Sequence, residues 1–274
     1  PCSDTPGFLA NRVGVFAIQC ALHKAFKYNL SPIEADAFFG RPLGLPKTGV
    51  FGLYDLIGID LMADVAKSLE NILPDNDAFH KYASPIEFVS NMIAKGQTGN
   101  KNEQGFYKQD GDEKKVIDLL GGNYVDHERL KTPLLEEAEK DGVTAIIADE
   151  SKYGLFIWEV LSETLCYAAS LIPEVTKDLT QIDDAMKLGY NWVKGPFGLI
   201  DEIGVNYLVN RLKTSGKDVP EFLSNSSNNK FYNNANSVLS FLSPSGKLSP
   251  IVRPKGVLRF SEVRQTLVPI NENE

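Results

Sequence analysis

A twelve-residue phrase that occurs twice constrains the fold of this chain more than any other feature. Gly49-Val-Phe-Gly-Leu-Tyr-Asp-Leu-Ile-Gly-Ile-Asp60 is matched by Gly195-Pro-Phe-Gly-Leu-Ile-Asp-Glu-Ile-Gly-Val-Asn206, with seven of the twelve positions identical at an offset of 195 − 49 = 146. Upstream of each copy stands a helix-start signal, Ser31 to Glu34 in the first and Thr180 to Asp183 in the second. Further upstream lies a strongly apolar stretch, from Phe8 in the first copy and from Leu155 in the second. Order, spacing and cap type agree, so the chain is read as two copies of one helical unit. Helices this apolar leave a face that something must cover, and two copies in one chain can cover each other as a built-in pseudo-dimer.

The periodicity predicts a mainly α fold. Phe8 to Phe26 is apolar or small almost throughout, the pattern of a helix buried on most sides, with Thr5-Pro6 as its expected cap and first turn. Ser31-Pro32-Ile33-Glu34 reads as a capping box with proline at the first helical position. Gly40 to Pro46 breaks the pattern, which resumes near Phe51; Gly58 breaks it again before Asp60, which is expected to cap Leu61 to Leu69. Residues 96 to 126 are rich in Gly, Asn, Asp and Lys, and Asp110-Gly111 predicts a small hairpin turn between Gly105-Phe106-Tyr107 and Val116-Ile117. Helix returns from Leu155 to Ile172, before Pro173. Ser224 to Asn236 is dominated by Asn and Ser and is expected to be a surface loop, and Pro244, Pro250 and Pro254 argue against long helices beyond it.

The expected organisation is a first repeat over 1–108, a polar connector over 109–151, a second, degenerate repeat over 152–232 and a C-terminal extension over 233–274. The chain opens at Pro1, without a methionine and close to a helix signal, and is therefore expected to be a fragment.

Charge and cysteines narrow the function classes. Lys plus Arg number 28 against 36 Asp plus Glu, a net charge of −8, which argues against a nucleic-acid partner and requires any anionic ligand to be met by a local basic patch or by another domain. No apolar run approaches the length needed to span a bilayer. Cys2, Cys20 and Cys166 are far apart, odd in number and without metal-ligand spacing, which suggests a reducing compartment such as the cytoplasm.

Asp4-Thr-Pro-Gly-Phe-Leu-Ala-Asn-Arg12 resembles the stretch that opens the C-terminal domain of 3-hydroxyacyl-CoA dehydrogenases. Asn191-Trp-Val-Lys-Gly-Pro-Phe-Gly-Leu-Ile-Asp201 resembles a second hallmark of that domain, and Gly105-Phe-Tyr107 the turn that closes its first copy. A two-copy arrangement is similar to that of the multifunctional fatty-acid oxidation enzymes. The connector and Leu161-Ser-Glu-Thr-Leu-Cys-Tyr-Ala-Ala169 resemble versions in which an enoyl-CoA hydratase module follows the dehydrogenase. The resemblance implies oxidation of (3S)-hydroxyacyl-CoA by NAD in β-oxidation, with this chain as the acyl-CoA side of the cleft. It also implies that NAD is bound by an N-terminal domain outside this chain, because no G-x-G-x-x-G occurs here and none of His23, His80 and His127 sits in the family's catalytic histidine motif. The chain alone is therefore expected to be inactive. A non-catalytic scaffold or dimerisation module is the alternative.

Asn11 would share a helix face with Val15, Ile18 and Leu22, which puts a polar amide on an apolar stripe. Read alone, such a residue is a capping or packing amide. The resemblance makes it the active-site asparagine that helps hold the acyl carbonyl. Aligning Gly7 with Gly154 puts Trp158 in its place in the second copy and Glu159 in the place of Arg12, so the second copy is expected to be structural. Thr48 and Gly49 are candidate edges of the acyl pocket. Gly49, Phe51 and Asp55 and their counterparts Gly195, Phe197 and Asp201 are read as architectural, with the aspartates bonding nearby backbone amides. Arg12 is read as one half of an ion pair in preference to a contact to a CoA phosphate, and Lys114-Lys115 as a solvated face in preference to a phosphate site.

Overall fold

The computed structural model describes residues 2–226, 229–235, 238–252 and 256–257. Helix dominates them. In chain order the helices are α1 (Leu9–Lys27), α2 (Pro32–Phe38), α3 (Phe51–Ile57), α4 (Ile59–Ile72), α5 (Glu87–Ala94), α6 (Pro133–Asp141), α7 (Val143–Ala148), α8 (Lys152–Ser170), α9 (Leu179–Gly189), α10 (Pro196–Ile203), α11 (Val205–Thr214) and α12 (Glu221–Asn225). Two antiparallel three-stranded sheets complete the fold. They are β1 (Tyr107–Asp110), β2 (Glu113–Ile117) and β3 (Tyr124–Asp126), then β4 (Tyr232–Ala235), β5 (Val238–Leu242) and β6 (Leu248–Pro250). No helix among the described residues is long and apolar enough to cross a membrane.

The two longest helices, α1 and α8, each of 19 residues and buried on most sides, pack against each other. α9 then leans on α1, and α2 leans on α8, so each unit's second helix meets the other unit's first. At the edge of this contact the Val193 N–H donates to the Gly44 carbonyl at 2.8 Å.

The repeated phrase is explained by a repeated set of hydrogen bonds. Asp36 on α2 accepts from the N–H groups of Val50, Phe51 and Gly52, at 2.7, 2.7 and 2.9 Å, and so caps the start of α3. Asp183 on α9 does the same for α10, through Phe197 at 2.8 Å and Gly198 at 3.0 Å. It accepts one fewer because Pro196, which stands where Val50 does, has no N–H to give. Asp55 accepts from Phe106 and Tyr107, and Asp201 from Phe231 and Tyr232. The hydroxyls of Tyr107 and Tyr232 return to Asp36 at 2.9 Å and to Asp183 at 3.0 Å. Phe106 and Phe231, both fully buried, meet Phe51 and Phe197 edge-on with ring centroids 4.6 and 5.0 Å apart. The architectural aspartates therefore do bond backbone amides, but amides 51 and 30 residues away rather than local ones.

Several local expectations are corrected. Thr5 does not cap α1: Gly7 sits in the left-handed region at φ 79°, the chain turns there, and the helix starts only after Phe8. In the second unit Asp178, not Thr180, caps α9 by accepting from the Thr180 N–H. α4 begins at Ile59 after Gly58, with Asp60 inside its first turn. The Ser31 capping box is present in full. The hairpin forms with Gly111-Asp112 at its tip and gains a third strand, β3. Ser224 to Asn236 is not simply a loop, because α12 ends within it and β4 occupies 232–235. The buried Phe231 and the half-buried Tyr232, whose amides bond Asp201, outweigh a majority of Asn and Ser. Pro254 and most of the stretch 233–274 beyond residue 252 lie outside the described residues.

The seam between α1 and α8 is closed by charge as well as apolar packing. Lys24 reaches Glu159 at 2.5 Å and Glu163 at 3.0 Å, and Lys27 reaches Glu159 at 2.7 Å. Burial pushes the Glu159 carboxyl up, but Lys24, Lys27 and Tyr28 outweigh it and hold it at about 2. A carboxylate with a depressed folded pKa contributes stability that is fully present above its unfolded pKa and lost as pH falls through the folded value. Unfolding free energy is therefore expected to drop between about pH 4.5 and pH 2. Glu159→Gln should flatten that part of the profile in denaturant titrations across this range; an unchanged slope would remove Glu159 as its cause.

Candidate active site

Asn11 lies in the first turn of α1, half-buried. The next residue fixes that turn. The buried Arg12 guanidinium pairs with the buried Asp77 carboxylate and donates from Nε to the Tyr167 hydroxyl at 3.3 Å, bonds that outweigh the cost of burying it and raise its pKa further. Arg12 is thus a structural ion pair, as its sequence context suggested. With Arg12 tied to Asp77 just before Phe79 and to Tyr167 on α8, Asn11 is held on the opposite flank of the helix.

On that flank the Tyr190 hydroxyl donates to Asn11 Oδ1 at 3.2 Å. Tyr190 directly follows α9 and so comes from the second unit, 179 residues away. Its ring lies over Gly14, one turn beyond Asn11; a Cβ at position 14 would sit 2.1 Å from the ring. Burial raises the Tyr190 phenol to about 12, so it keeps its proton at neutral pH.

A narrow apolar cleft opens beside this pair. Its walls are Gly14, Ala17 and Ile18 of α1, Phe39, Leu45, Pro46, Thr48 and Gly49 of the first unit's bend, Leu53 of α3, and Tyr190 and Trp192 of the second unit. Thr48 and Gly49 are thus both brought to one apolar cleft, and Tyr190, a wall of that cleft, ties Asn11 to it. Gly49 is buried at φ 63°, and its backbone passes directly over Asp36. Sequence reading missed Tyr190 and Trp192. They lie just ahead of the repeated phrase in the second unit, where the offset between the units changes from 147 (183 − 36) to 146 (195 − 49) and no local pattern marks them.

Thr48 also borders a larger open cavity of about 900 Å³ between the first unit and the segment 127–139. Arg41, Lys47, Lys114, Arg129 and Lys131 line it together with Glu136, Glu139, the half-buried Asp36 and the buried Asp55. This is a local concentration of cations on an acidic chain; Lys114 stays exposed, as expected of a solvated face, with its ammonium 4.3 Å from the Tyr107 ring centroid.

The equivalent place in the second unit is filled. Trp158 is buried and sandwiched by Arg211, whose guanidinium lies 4.0 Å from the ring centroid, while Glu159 serves the seam. Among the described residues both sheets are antiparallel, and none provides the parallel strand-to-helix turn that holds a dinucleotide pyrophosphate. The residues present therefore do not fit an NAD site.

Comparison with known proteins agrees with this geometry. Residues 7–109 match the family described as 3-hydroxyacyl-CoA dehydrogenase, C-terminal domain. A Rickettsia prowazekii protein named as a fatty acid oxidation complex trifunctional enzyme is 35% identical over 226 residues, 81% of this chain and 31% of that protein. A probable 3-hydroxyacyl-CoA dehydrogenase of Bacillus subtilis is 30% identical over 98% of this chain and 35% of its own length. The chain thus spans about a third of the length of these relatives. The crystal structure of 3-hydroxybutyryl-CoA dehydrogenase from Escherichia coli K12 shares the fold with a TM-score of 0.54 at 17% identity, over 82% of this chain and 60% of that one.

Proposed function

We propose that this chain, whose residues 7–109 carry the C-terminal domain of the 3-hydroxyacyl-CoA dehydrogenases, forms the acyl-CoA wall of an NAD-dependent enzyme that oxidises (3S)-hydroxyacyl-CoA to 3-ketoacyl-CoA in fatty-acid β-oxidation. The observation that carries this reading is the single polar amide of Asn11 beside an apolar cleft edged by Thr48 and Gly49. The cleft takes the acyl chain, and the Asn11 amide holds the carbonyl oxygen at its mouth. The cations along the adjoining cavity meet the phosphates of coenzyme A, the anionic part of the substrate.

NAD is assigned to a domain outside this chain, where it would accept hydride from C3 of the acyl group. The names and lengths of the relatives support a longer, multi-activity protein, and an enoyl-CoA hydratase module is the neighbour we assign on the C-terminal side. Within the chain, we read 1–108 as the working repeat, 109–151 as the connector, 152–232 as the degenerate repeat and 233–274 as an extension. The reciprocal contacts of α1, α2, α8 and α9 support a pseudo-dimer with one working face. The free cysteines are consistent with a cytoplasmic setting.

The test compares the intact protein with this chain alone, using acetoacetyl-CoA and NADH. Turnover by the intact protein and none by the chain supports the proposal. Turnover by the chain alone would place a cofactor site within these residues, and none by either would favour a scaffold.

A further inference from the structure

We infer that Tyr190, contributed by the second unit, is a positioning residue that orients the Asn11 amide for the acyl carbonyl. The inference rests on the reading of Asn11 given above and deepens it.

An asparagine amide presents an acceptor and a pair of donors, and it can help a substrate carbonyl only with the donor end turned outward. Left to itself on a helix surface, the group rotates freely about its last bond. Here the Tyr190 hydroxyl occupies the acceptor end, donating to Oδ1 at 3.2 Å. No other hydrogen bond to the Asn11 side chain occurs among the described residues, so both Nδ2 protons stay available. Tyr190 is suited to this because burial keeps its phenol protonated and its ring is wedged against a helix that has glycine, Gly14, at the one position where a side chain would exclude it. The same ring forms a wall of the acyl cleft. The first copy's site is therefore incomplete without the second copy, which gives the degenerate unit a role beyond covering an apolar face. In place of Asn11 the second unit has Trp158, held against Arg211, so only one of the two possible arrangements is built.

The experiment is a double-mutant cycle in the intact dehydrogenase, with Tyr190→Phe, Asn11→Ala and the pair, reading kcat and KM for acetoacetyl-CoA. Phenylalanine keeps the ring on Gly14 and removes only the hydroxyl. With Asn11 present, Tyr190→Phe should lower kcat about three- to tenfold, the equivalent of one neutral hydrogen bond, with KM within about twofold. In the Asn11→Ala background the same change should have no further effect on kcat, because the residue it acts through is gone. An equal loss in both backgrounds would mean Tyr190 acts on its own or through the fold, and no loss with Asn11 present would mean the bond does no orienting; either overturns the inference alone. If Asn11→Ala itself leaves kcat intact, the reading of Asn11 fails and this inference fails with it.

Discussion

Asn11→Ala in the intact enzyme is expected to lower kcat by about a hundredfold to a thousandfold, with little change in stability. Removing one preorganised donor to a developing oxyanion typically costs this much, because in a water-poor cleft nothing else takes over the bond. The effect should fall on kcat more than on KM, since the acyl chain and coenzyme A contribute the ground-state binding. Stability should hold because Asn11 is half-buried and, among the described residues, its one hydrogen-bond partner, the Tyr190 hydroxyl, belongs to a residue that is itself half-buried. The second unit provides the contrast. Trp158→Ala, at the place that Asn11 aligns with, should destabilise the chain by about 3–5 kcal/mol through the lost packing on Arg211. Steady-state kinetics and thermal melts of the two variants settle the assignment. A tenfold or smaller kcat loss for Asn11→Ala would return the residue to a packing amide.

The second large effect concerns Gly49 and its counterpart Gly195. An added Cβ at Gly49 would lie 2.5 Å from the Cα, Cβ and Cγ of Asp36, and at Gly195 2.3 Å from the Cα of Asp183. Those are backbone and root atoms that cannot swing aside. The aspartate would have to retreat, and in doing so it would release the N-terminal amides of α3 or α10, which are buried and have no other acceptor. Overpacking and broken caps together cost on the order of 3 kcal/mol or more for each Gly→Ala change, a fall in Tm of roughly 6–12 °C. Gly49 carries a further penalty from φ 63°, whereas Gly195, at φ −76°, does not. Comparable losses at both positions would identify the close approach as the cause. A mild Gly195→Ala beside a severe Gly49→Ala would make backbone conformation the cause instead. Differential scanning calorimetry of the two single variants distinguishes them.

Much of the fold could be read before any coordinates, for a local reason. The repeated phrase, the apolar runs of α1 and α8, the Ser31-Pro32-Glu34 box and the Asp110-Gly111 turn are signals in which neighbouring residues decide neighbouring conformation. Asn11 stands out on the same terms only as an amide on an apolar helical stripe; its role, unlike its position, is what the family resemblance implies, and Thr48 and Gly49 are read as edges of the acyl pocket. What local signals could not specify were contacts whose partners are far apart in the chain. Nothing around Phe231-Tyr232 marks them out from the asparagines nearby; they are fixed there because Asp201, 30 residues before Phe231, receives their amides. Nothing in Asn191-Trp192-Val193 discloses that the preceding tyrosine lies against Gly14, since that meeting requires the α9–α1 contact.

The amino-acid sequence by itself thus determined which segments are helical, that one unit occurs twice, and which amide is out of place on an apolar face. These follow from periodicity and capping, which act over a few residues. Only the tertiary structure decided that the second unit supplies Tyr190 and Trp192 to the first unit's cleft, and that its own equivalent place is filled by Trp158 and Arg211. Burial of two apolar faces against each other brings those residues together, and the hydrophobic effect that drives it has no direction and leaves no local signature of its partners.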